Sequence, residues 1–361
     1  MLSQSARIYS QIAQQEGFSV LAVDAFADAD TRRAAQQVYR WSGLCEQDAD
    51  DHLDALFEVL DAFAPDAVLV GSGFEANQAG YAALFARYTL LGNTPETVSR
   101  VKHPPWLKAC CDAHQVPSPP IAETRPSTGP WLYKQAGQCG GHHVQHWELV
   151  TDTVADGYWQ AFQPGQAVGL LFLAHGQTVT LIGVHALRQH ADGYAYAGAT
   201  RLHDDALYRA ASNLLQTLVP ALGLVGINSI DAIWHAHVLH VIEVNPRLSA
   251  SMRLYADLPL IQAHIAYCQH ERMPLLSPPS GYASHCIVYA RQEIEVSQLT
   301  FPDWLEDRPS GGTIAAGQPI CSLYAEGDSD QEVLLALRDK KTRLETLWGT
   351  YVCNSIEFNI Y

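Results

Sequence analysis

Basic side chains are scarce in this 361-residue chain: 22 Lys and Arg stand against 38 Asp and Glu, a formal net charge of −16. Nucleic acid and anionic membrane surfaces are held through a basic footprint, so neither is expected as a partner. Long apolar runs are also missing. The stretch Val168–Ala174 falls well short of the roughly 18 residues of a membrane span and reads as one buried strand. The opening segment MLSQSARIYSQIAQQEG has no apolar signal-peptide core. Cysteines stand at Cys45, Cys110, Cys111, Cys139, Cys268, Cys286, Cys321 and Cys353, with no CxxC pair. That scatter speaks against a disulfide framework or a zinc site and fits thiols in a reducing compartment, so a soluble cytoplasmic protein is expected. No repeat, Ser-His-Asp set or Cys-His nucleophile pair is evident. With 48% hydrophobic and only 17% charged residues, the composition is globular, and the length predicts two to three domains.

What is present is an alternation of helix and strand patterns. Residues 5–16 read as a helix with Ile8 and Ile12 on one face, and the run from Phe18 to Phe26 reads as a strand. A helix over Thr31–Tyr39 and another over Asp51–Phe63 follow, then the strand Ala67–Val70 and the turn GSGFE. Such alternation predicts a parallel sheet with helical crossovers. Only Met1 and Leu2 precede the first helix, so the edge strand is expected to be missing or extremely short. Helices are predicted over Thr94–Val101 and Trp106–His114, and the segment VPSPP (Val116–Pro120) reads as a rigid linker. Between Trp131 and Tyr267 the strands WLYK, VGLLFLA, TVTLIGVHA and HVLHVIEV surround a helix near 205–222. A second Pro-rich boundary at 271–281 precedes a last part with the strands ASHCIVYAR and PICSLYAEG and a helix over Asp330–Leu347.

The chemistry concentrates in two segments, GINSID (Gly226–Asp231) and IEVNPR (Ile242–Arg247). Asp231, Glu243 and Asn245 offer three hard oxygen ligands, and the last two share a strand face because they are two residues apart. Carboxylates of this kind hold Mg²⁺ together with phosphate oxygens. Arg247 follows Pro246, placed to meet a phosphate or a developing oxyanion. His235, His237 and His240 lie between the two segments and read as a solvated hairpin turn, since no Cys or acid completes a transition-metal set. Glu75 ends a strand where open α/β sheets place ligands. Ser249, Ser251 and Arg253 divide between lining an acceptor site and capping a helix. Cys110 and Cys111 read as helix core packing.

These two segments resemble the metal-binding strands of the ATP-grasp superfamily, which carry an acid followed by a Glu-x-Asn pair. The resemblance extends to Lys102 ahead of VPSPP and to Lys134 at the end of WLYK, the family's two nucleotide lysines. It also covers GQCGGHHV, similar to the glycine loop that closes over phosphates, with Gly140 and Gly141 at its centre. WQAFQPG is similar to the adenine hinge, implying a family Glu-or-Gln position at Gln160 and backbone contacts from Ala161 and Phe162. The implied fold is mixed, α/β and α+β. A Rossmann-like pre-ATP-grasp domain at 1–101 would precede the ATP-grasp module at 102–275 and a small β-rich C-terminal domain at 276–361. The implied cofactors are ATP and Mg²⁺ or Mn²⁺, with Asp231, Glu243 and Asn245 as metal ligands and Arg247 as the catalytic cation. The implied reaction joins a small-molecule carboxylate to an amine through an acyl phosphate, with Glu75, Ser249 and Arg253 as substrate candidates and a homodimer as one assembly. Within the superfamily, the motifs SARIYSQIAQQEGF, VDAFADADTR and IEVNPRLSASM resemble predicted ATP-dependent carboligases of one-carbon cofactor biosynthesis, including tyramine–glutamate ligase-like proteins. A biotin-carboxylase-like activity and a catalytically silent nucleotide-binding regulator are the alternatives. The truncated first strand and the lack of a hinge acid for the ribose hydroxyls depart from the pattern.

The acidity is uneven. Residues 1–66 hold 4 basic and 12 acidic side chains, whereas residues 102–275 hold 10 and 12. The nearly neutral middle leaves room for a nucleotide held by a few placed cations.

Overall fold

A computed structural model describes residues 1–41, 50–154, 156–190, 193–271, 276–277 and 279–349. Cys45, Cys353 and part of the Pro-rich boundary at 271–281 lie outside the described residues.

The chain opens with β1 (Leu2–Ser3), α1 (Arg7–Gln15), β2 (Leu21–Asp24), α2 (Ala29–Ala34), β3 (Gln37–Arg40) and α3 (Asp50–Phe63). Ile8 and Ile12 are buried on α1 as the spacing predicts, together with Tyr9 and Ala13. The strands pair in parallel in the order β1-β2-β3, and parallel bridges Leu2↔Val70 and Val68↔Leu90 continue that sheet beyond β1. The two-residue first strand is therefore inside the sheet, not at its edge. The expected strand at 67–70 narrows to two bridge residues. The helix expected over Thr31–Tyr39 is a second correction. Asp28 caps it early by accepting from the N–H groups of Asp30 and Thr31, and Gln37–Arg40, with Val38 and Tyr39, is strand.

The connections run outward from β1 to β3 and then return to its other side, at Val70. The crevice at such a reversal is where open α/β sheets place ligands. Here it is bordered by Ser3, Ser72 and the turn that carries Glu75.

Helices α4 (Gln78–Arg87), α5 (Pro95–Val101) and α6 (Pro104–Ala113) follow. Next come β4 (Ile121–Ala122), β5 (Trp131–Gln135), β6 (Gln145–His146) and β7 (Gly157–Ala161), which form an antiparallel sheet in the order β4-β7-β5-β6. The largest sheet draws on β8 (Gln166–His175), β9 (Thr178–Gln189) and β10 (Tyr196–Arg201). After α7 (Asp205–Leu222) it adds β11 (Val225–His235) and β12 (Val238–Asn245), and after α8 (Leu260–Gln269) it adds β13 (Tyr282–Tyr289). The short pair β14 (Ile294–Glu295) and β15 (Thr313–Ile314) precedes its last strand, β16 (Pro319–Gly327), and α9 (Asp330–Trp348). The sheet order is β12-β11-β8-β9-β10-β13-β16. β13 and β16 thus continue the central sheet across the boundary expected near residue 276, and α9 packs Leu337, Leu344 and Trp348 onto them.

β8 is buried on both faces. Leu170 and Phe172 face α7, while Leu171 and Leu173 face Tyr255, Leu260 and α1. Burial on both sides explains why VGLLFLA is a continuous apolar run without alternation. Phe172→Ala is expected to cost about 3–5 kcal/mol, read as a lower midpoint in urea unfolding.

Candidate active site

β11 and β12 form a hairpin whose turn places Ala236 and His237 at positive φ, so His235 and His237 sit exposed at its tip as expected, whereas His240 lies within β12 opposite Ile233 and is half-buried. Among the described residues no group of three or more His, Cys, Asp or Glu is arranged to hold a metal. The opposite end of the hairpin carries the acids. Asp231 pairs across the ladder with Glu243, and Ser229 with Asn245, which sets Asp231, Glu243 and Asn245 on one face. The register then slips, with Ala232 opposite Val241, so Ile242 is the extra residue of a bulge beside Glu243. Bulges of this kind re-aim side chains next to active sites.

The three oxygen donors form a chain of contacts. Asn245 Nδ2 donates to Asp231 Oδ2 at 3.2 Å, and Lys102 Nζ donates to Glu243 Oε1 and lies 3.5 Å from Asn245 Oδ1. Burial opposes the Glu243 charge, but Lys102 and Lys134 hold its carboxyl below the ordinary value. Burial and the Glu243 charge push Asp231 up to about 6. Burial disfavours the Lys102 ammonium, yet Glu243 and Glu75 outweigh it and keep the pKa raised. A paired-acid set with an amide oxygen, facing one way and balanced by cations, fits a divalent ion with phosphate ligands.

Lys102 is the C-cap of α5 rather than the start of the next helix; α6 begins at Pro104. Lys134 lies on β5 and donates to Gln160 Oε1 at 2.7 Å across the strand pair. Burial lowers its pKa. Gln160 Nε2 reaches the Ile242 carbonyl at 3.5 Å, linking the four-stranded sheet to the bulge.

Lys102 lines a cleft between that sheet, α6 and the β12 edge, and Lys134 holds Gln160 in its wall. Its walls include Leu107, Cys111, Pro119, Ile121, Tyr158 and Val241. None of these six carries a site signature in the sequence. Cys111 reads as core and the Pro-rich segment as a linker, whereas Cys111 and the linker's Ser118 and Pro119 are cleft wall. Two of the hinge residues have their backbone N–H groups engaged within the protein. Ala161 N–H donates to the Pro120 carbonyl and Phe162 N–H to the Pro130 carbonyl, which leaves neither N–H for a base. Neither residue lines the cleft, and Phe162 is exposed.

The glycine loop lies against the site. Gly140 accepts from Tyr196 N–H at 2.9 Å, and a Cβ on Gly141 (φ +78°) would overlap the Tyr194 carbonyl. Gly137 approaches the Glu75 carbonyl so closely that a Cβ would stand 3.3 Å from it. His143 lines the cleft, and burial, reinforced by Lys134 and Lys102, pushes its pKa down to about 4. Gly141→Ala is expected to raise KM for ATP about tenfold, because the loop loses both its φ and its docking position. A steady-state ATP titration checks it.

Arg247 and Glu75 meet across the molecule. Arg247 Nε donates to Glu75 Oε1, Gly73 N–H donates to Oε2 at 2.8 Å, and Arg247 also reaches Asn245 Oδ1 at 3.4 Å. Both Glu75 carboxylate oxygens are thus engaged within the protein, one of them by Arg247. Arg253 is likewise engaged elsewhere: it forks onto Glu306 and stacks over Tyr324. Ser249 Oγ pairs with Ser251 Oγ at 3.0 Å and makes no cap bond.

Residues 106–251 match the family model of the ATP-grasp domain. The chain carries an ATP-grasp domain. That domain spans the cleft, the glycine loop, Lys134, Asp231, Glu243, Asn245 and Arg247, while Lys102 stands just ahead of it. No curated protein matches the sequence. Solved structures with the ATP-grasp architecture resemble nearly the whole chain. One is N5-carboxyaminoimidazole ribonucleotide synthetase from Thermus thermophilus, 15% identical over 97% of this chain and 99% of that one, with a TM-score of 0.70. Another is the biotin carboxylase domain dimer of 2-oxoglutarate carboxylase from Hydrogenobacter thermophilus, in complex with MgADP, ADP and bicarbonate. It is 12% identical over 98% and 90% of the two chains, with a TM-score of 0.70. Phosphoribosylamine–glycine ligase from Thermotoga maritima is 14% identical over 94% and 95%, with a TM-score of 0.69. Among the described residues no helix is long and apolar enough to cross a membrane.

Proposed function

We propose that the protein is an ATP- and Mg²⁺-dependent ligase that joins a small-molecule carboxylate to an amine. The observation that carries this reading is the convergence of Asp231, Glu243 and Asn245 with Lys102, Lys134 and Arg247 in one cluster, from which Lys102 and Glu243 line the cleft. Asp231, Glu243 and Asn245 would hold the metal, which when bound shields the charge of the β- and γ-phosphates. Lys102 and Lys134 bind phosphate oxygens. A carboxylate oxygen attacks the γ-phosphorus, the bond to ADP breaks, and an acyl phosphate forms. The amine nitrogen then attacks the acyl carbon, phosphate leaves with the former carboxylate oxygen, and the nitrogen loses a proton. Arg247, held by Glu75, faces the negative charge that develops in both steps. The glycine loop keeps water from the acyl phosphate.

The organisation into a pre-ATP-grasp domain at 1–101, a module at 102–275 and a C-terminal part at 276–361 belongs to the same reading. So do the family's motif likeness to one-carbon cofactor carboligases, a homodimer like that of the biotin carboxylase domain, and a reducing cytoplasmic setting. A second reading, with bicarbonate as the carboxylate, is favoured by the likeness to a biotin carboxylase domain and to N5-carboxyaminoimidazole ribonucleotide synthetase. ADP release measured against panels of carboxylates and amines separates the two. Turnover that needs both an organic acid and an amine supports the first; bicarbonate-dependent turnover replaces it with the second. Tight ATP binding without turnover on any panel would point instead to a silent regulator.

A further inference from the structure

The geometry points to Lys102 as the residue that makes the metal seat select the metal–nucleotide complex over the free ion. This rests on Asp231, Glu243 and Asn245 being the metal ligands. Each of those donors already has an internal partner. The Lys102 ammonium sits on the Glu243 carboxylate and 3.5 Å from the Asn245 amide oxygen. Arg247 is 3.4 Å from the same amide oxygen, and Asn245 donates to Asp231 at 3.2 Å. Counted by formal charge, Glu75, Asp231 and Glu243 are matched by Lys102, Lys134 and Arg247. The site is neutral as it stands.

That balance decides what enters. The Lys102 side chain is only 4% exposed, so it has no water shell into which it could withdraw. A divalent ion arriving alone would displace the ammonium from its carboxylate and leave two like charges close together. The Glu243 side chain is 31% exposed, so the cost falls mainly on the buried ammonium, which loses its charged partner. A nucleotide changes the exchange, because its phosphate oxygens take over the Lys102 ammonium from within the cleft that Lys102 lines. Glu243 is then released to the metal that the phosphates bring with them. Lys102 acts as an internal stand-in for the metal, and its transfer to phosphate opens the seat. Asp231 contributes by adding a charge that Lys102 alone does not neutralise, which retains affinity for the complex.

The test measures Mn²⁺ binding directly, from the free-ion signal in electron paramagnetic resonance, with and without ADP and without reference to turnover. The wild type is expected to bind Mn²⁺ weakly alone and about 10²-fold more tightly with ADP present. Lys102→Met, which removes the ammonium and keeps much of the volume, is expected to bind Mn²⁺ alone about tenfold more tightly than the wild type. ADP alone should bind this variant more weakly. Lys102→Gln is measured in parallel so that a folding defect of one variant does not decide the outcome. Lys102→Arg, which keeps the cation, should leave the affinity for Mn²⁺ alone within about threefold of the wild type. Unchanged or weaker binding of Mn²⁺ alone to folded Lys102→Met and Lys102→Gln, with Mn²⁺ and ADP still bound together by the wild type, overturns the inference. Failure of the wild type to bind Mn²⁺ even with ADP overturns instead the metal assignment beneath it.

Discussion

Glu243→Gln is expected to lower ATP-dependent turnover by about 10³-fold or more while the protein stays folded. The substitution keeps the side-chain shape and removes one negative charge from the only acid that contacts Lys102 directly among the described residues. An amide oxygen is a weaker ligand than a carboxylate for a hard divalent ion. The loss falls on phosphoryl transfer, where the metal neutralises charge that grows toward the transition state. Lys102 is not stranded by the change, because Glu75 also faces its ammonium and contributes to its raised pKa. The fold is therefore expected to survive, as checked by far-UV circular dichroism beside the ADP-release assay. Activity equal to wild type would remove Glu243 from the metal site.

Arg247→Lys is expected to lower kcat by about 10²-fold with little change in nucleotide affinity. Arg247 spends its guanidinium on three partners at once: Nε on Glu75, Nη1 on the Leu248 carbonyl at 3.1 Å, and Nη2 toward Asn245. A lysine ammonium is a point charge and reproduces one of these directions, not the fork. Glu75 would remain buried with a partner of poorer geometry, at the turn against which Gly137 packs. Single-turnover kinetics together with ADP titration separate the two effects. A fall in nucleotide affinity with kcat intact would make Arg247 a nucleotide ligand and not a stabiliser of the reacting groups.

The Glu-x-Asn pair was legible because strand periodicity is strict: Glu243 and Asn245 two apart on β12 share a face wherever the strand ends up. Helix α7 was legible for a similar reason, since Asp204 caps its start and Gly223 at φ +70° ends its periodic apolar face. The bulge at Ile242 was not, because an extra ladder residue leaves no mark in composition or alternation. β1 gave no strand signal of its own because a two-residue pairing carries too little pattern, and Ala67–Val70 reads as a full strand although only Val68 and Val70 make bridges. The engagement of the Ala161 and Phe162 N–H groups was hidden for a different reason. Whether a backbone N–H is open to a ligand depends on what lies beside it, and here Pro120 and Pro130 take both. Glu75 was found as a site residue, but its partner Arg247 lies 172 residues away in the chain, beyond the reach of local pattern. The cleft walls Leu107 and Cys111 look like ordinary apolar helix positions, and nothing in their sequence spacing separates a cavity lining from a core.

The central claim is that a carboxylate is activated by phosphoryl transfer before an amine replaces the phosphate. Carboxylate substrate labelled with ¹⁸O tests this most directly, once the substrate panel has identified a turning-over pair. The phosphate released with each amide bond should carry one labelled oxygen from the carboxylate, and hydroxylamine in place of the amine should trap the acyl group as a hydroxamate. Phosphate released without label, at the same rate as product, would contradict an acyl phosphate and with it the mechanism assigned to this cleft.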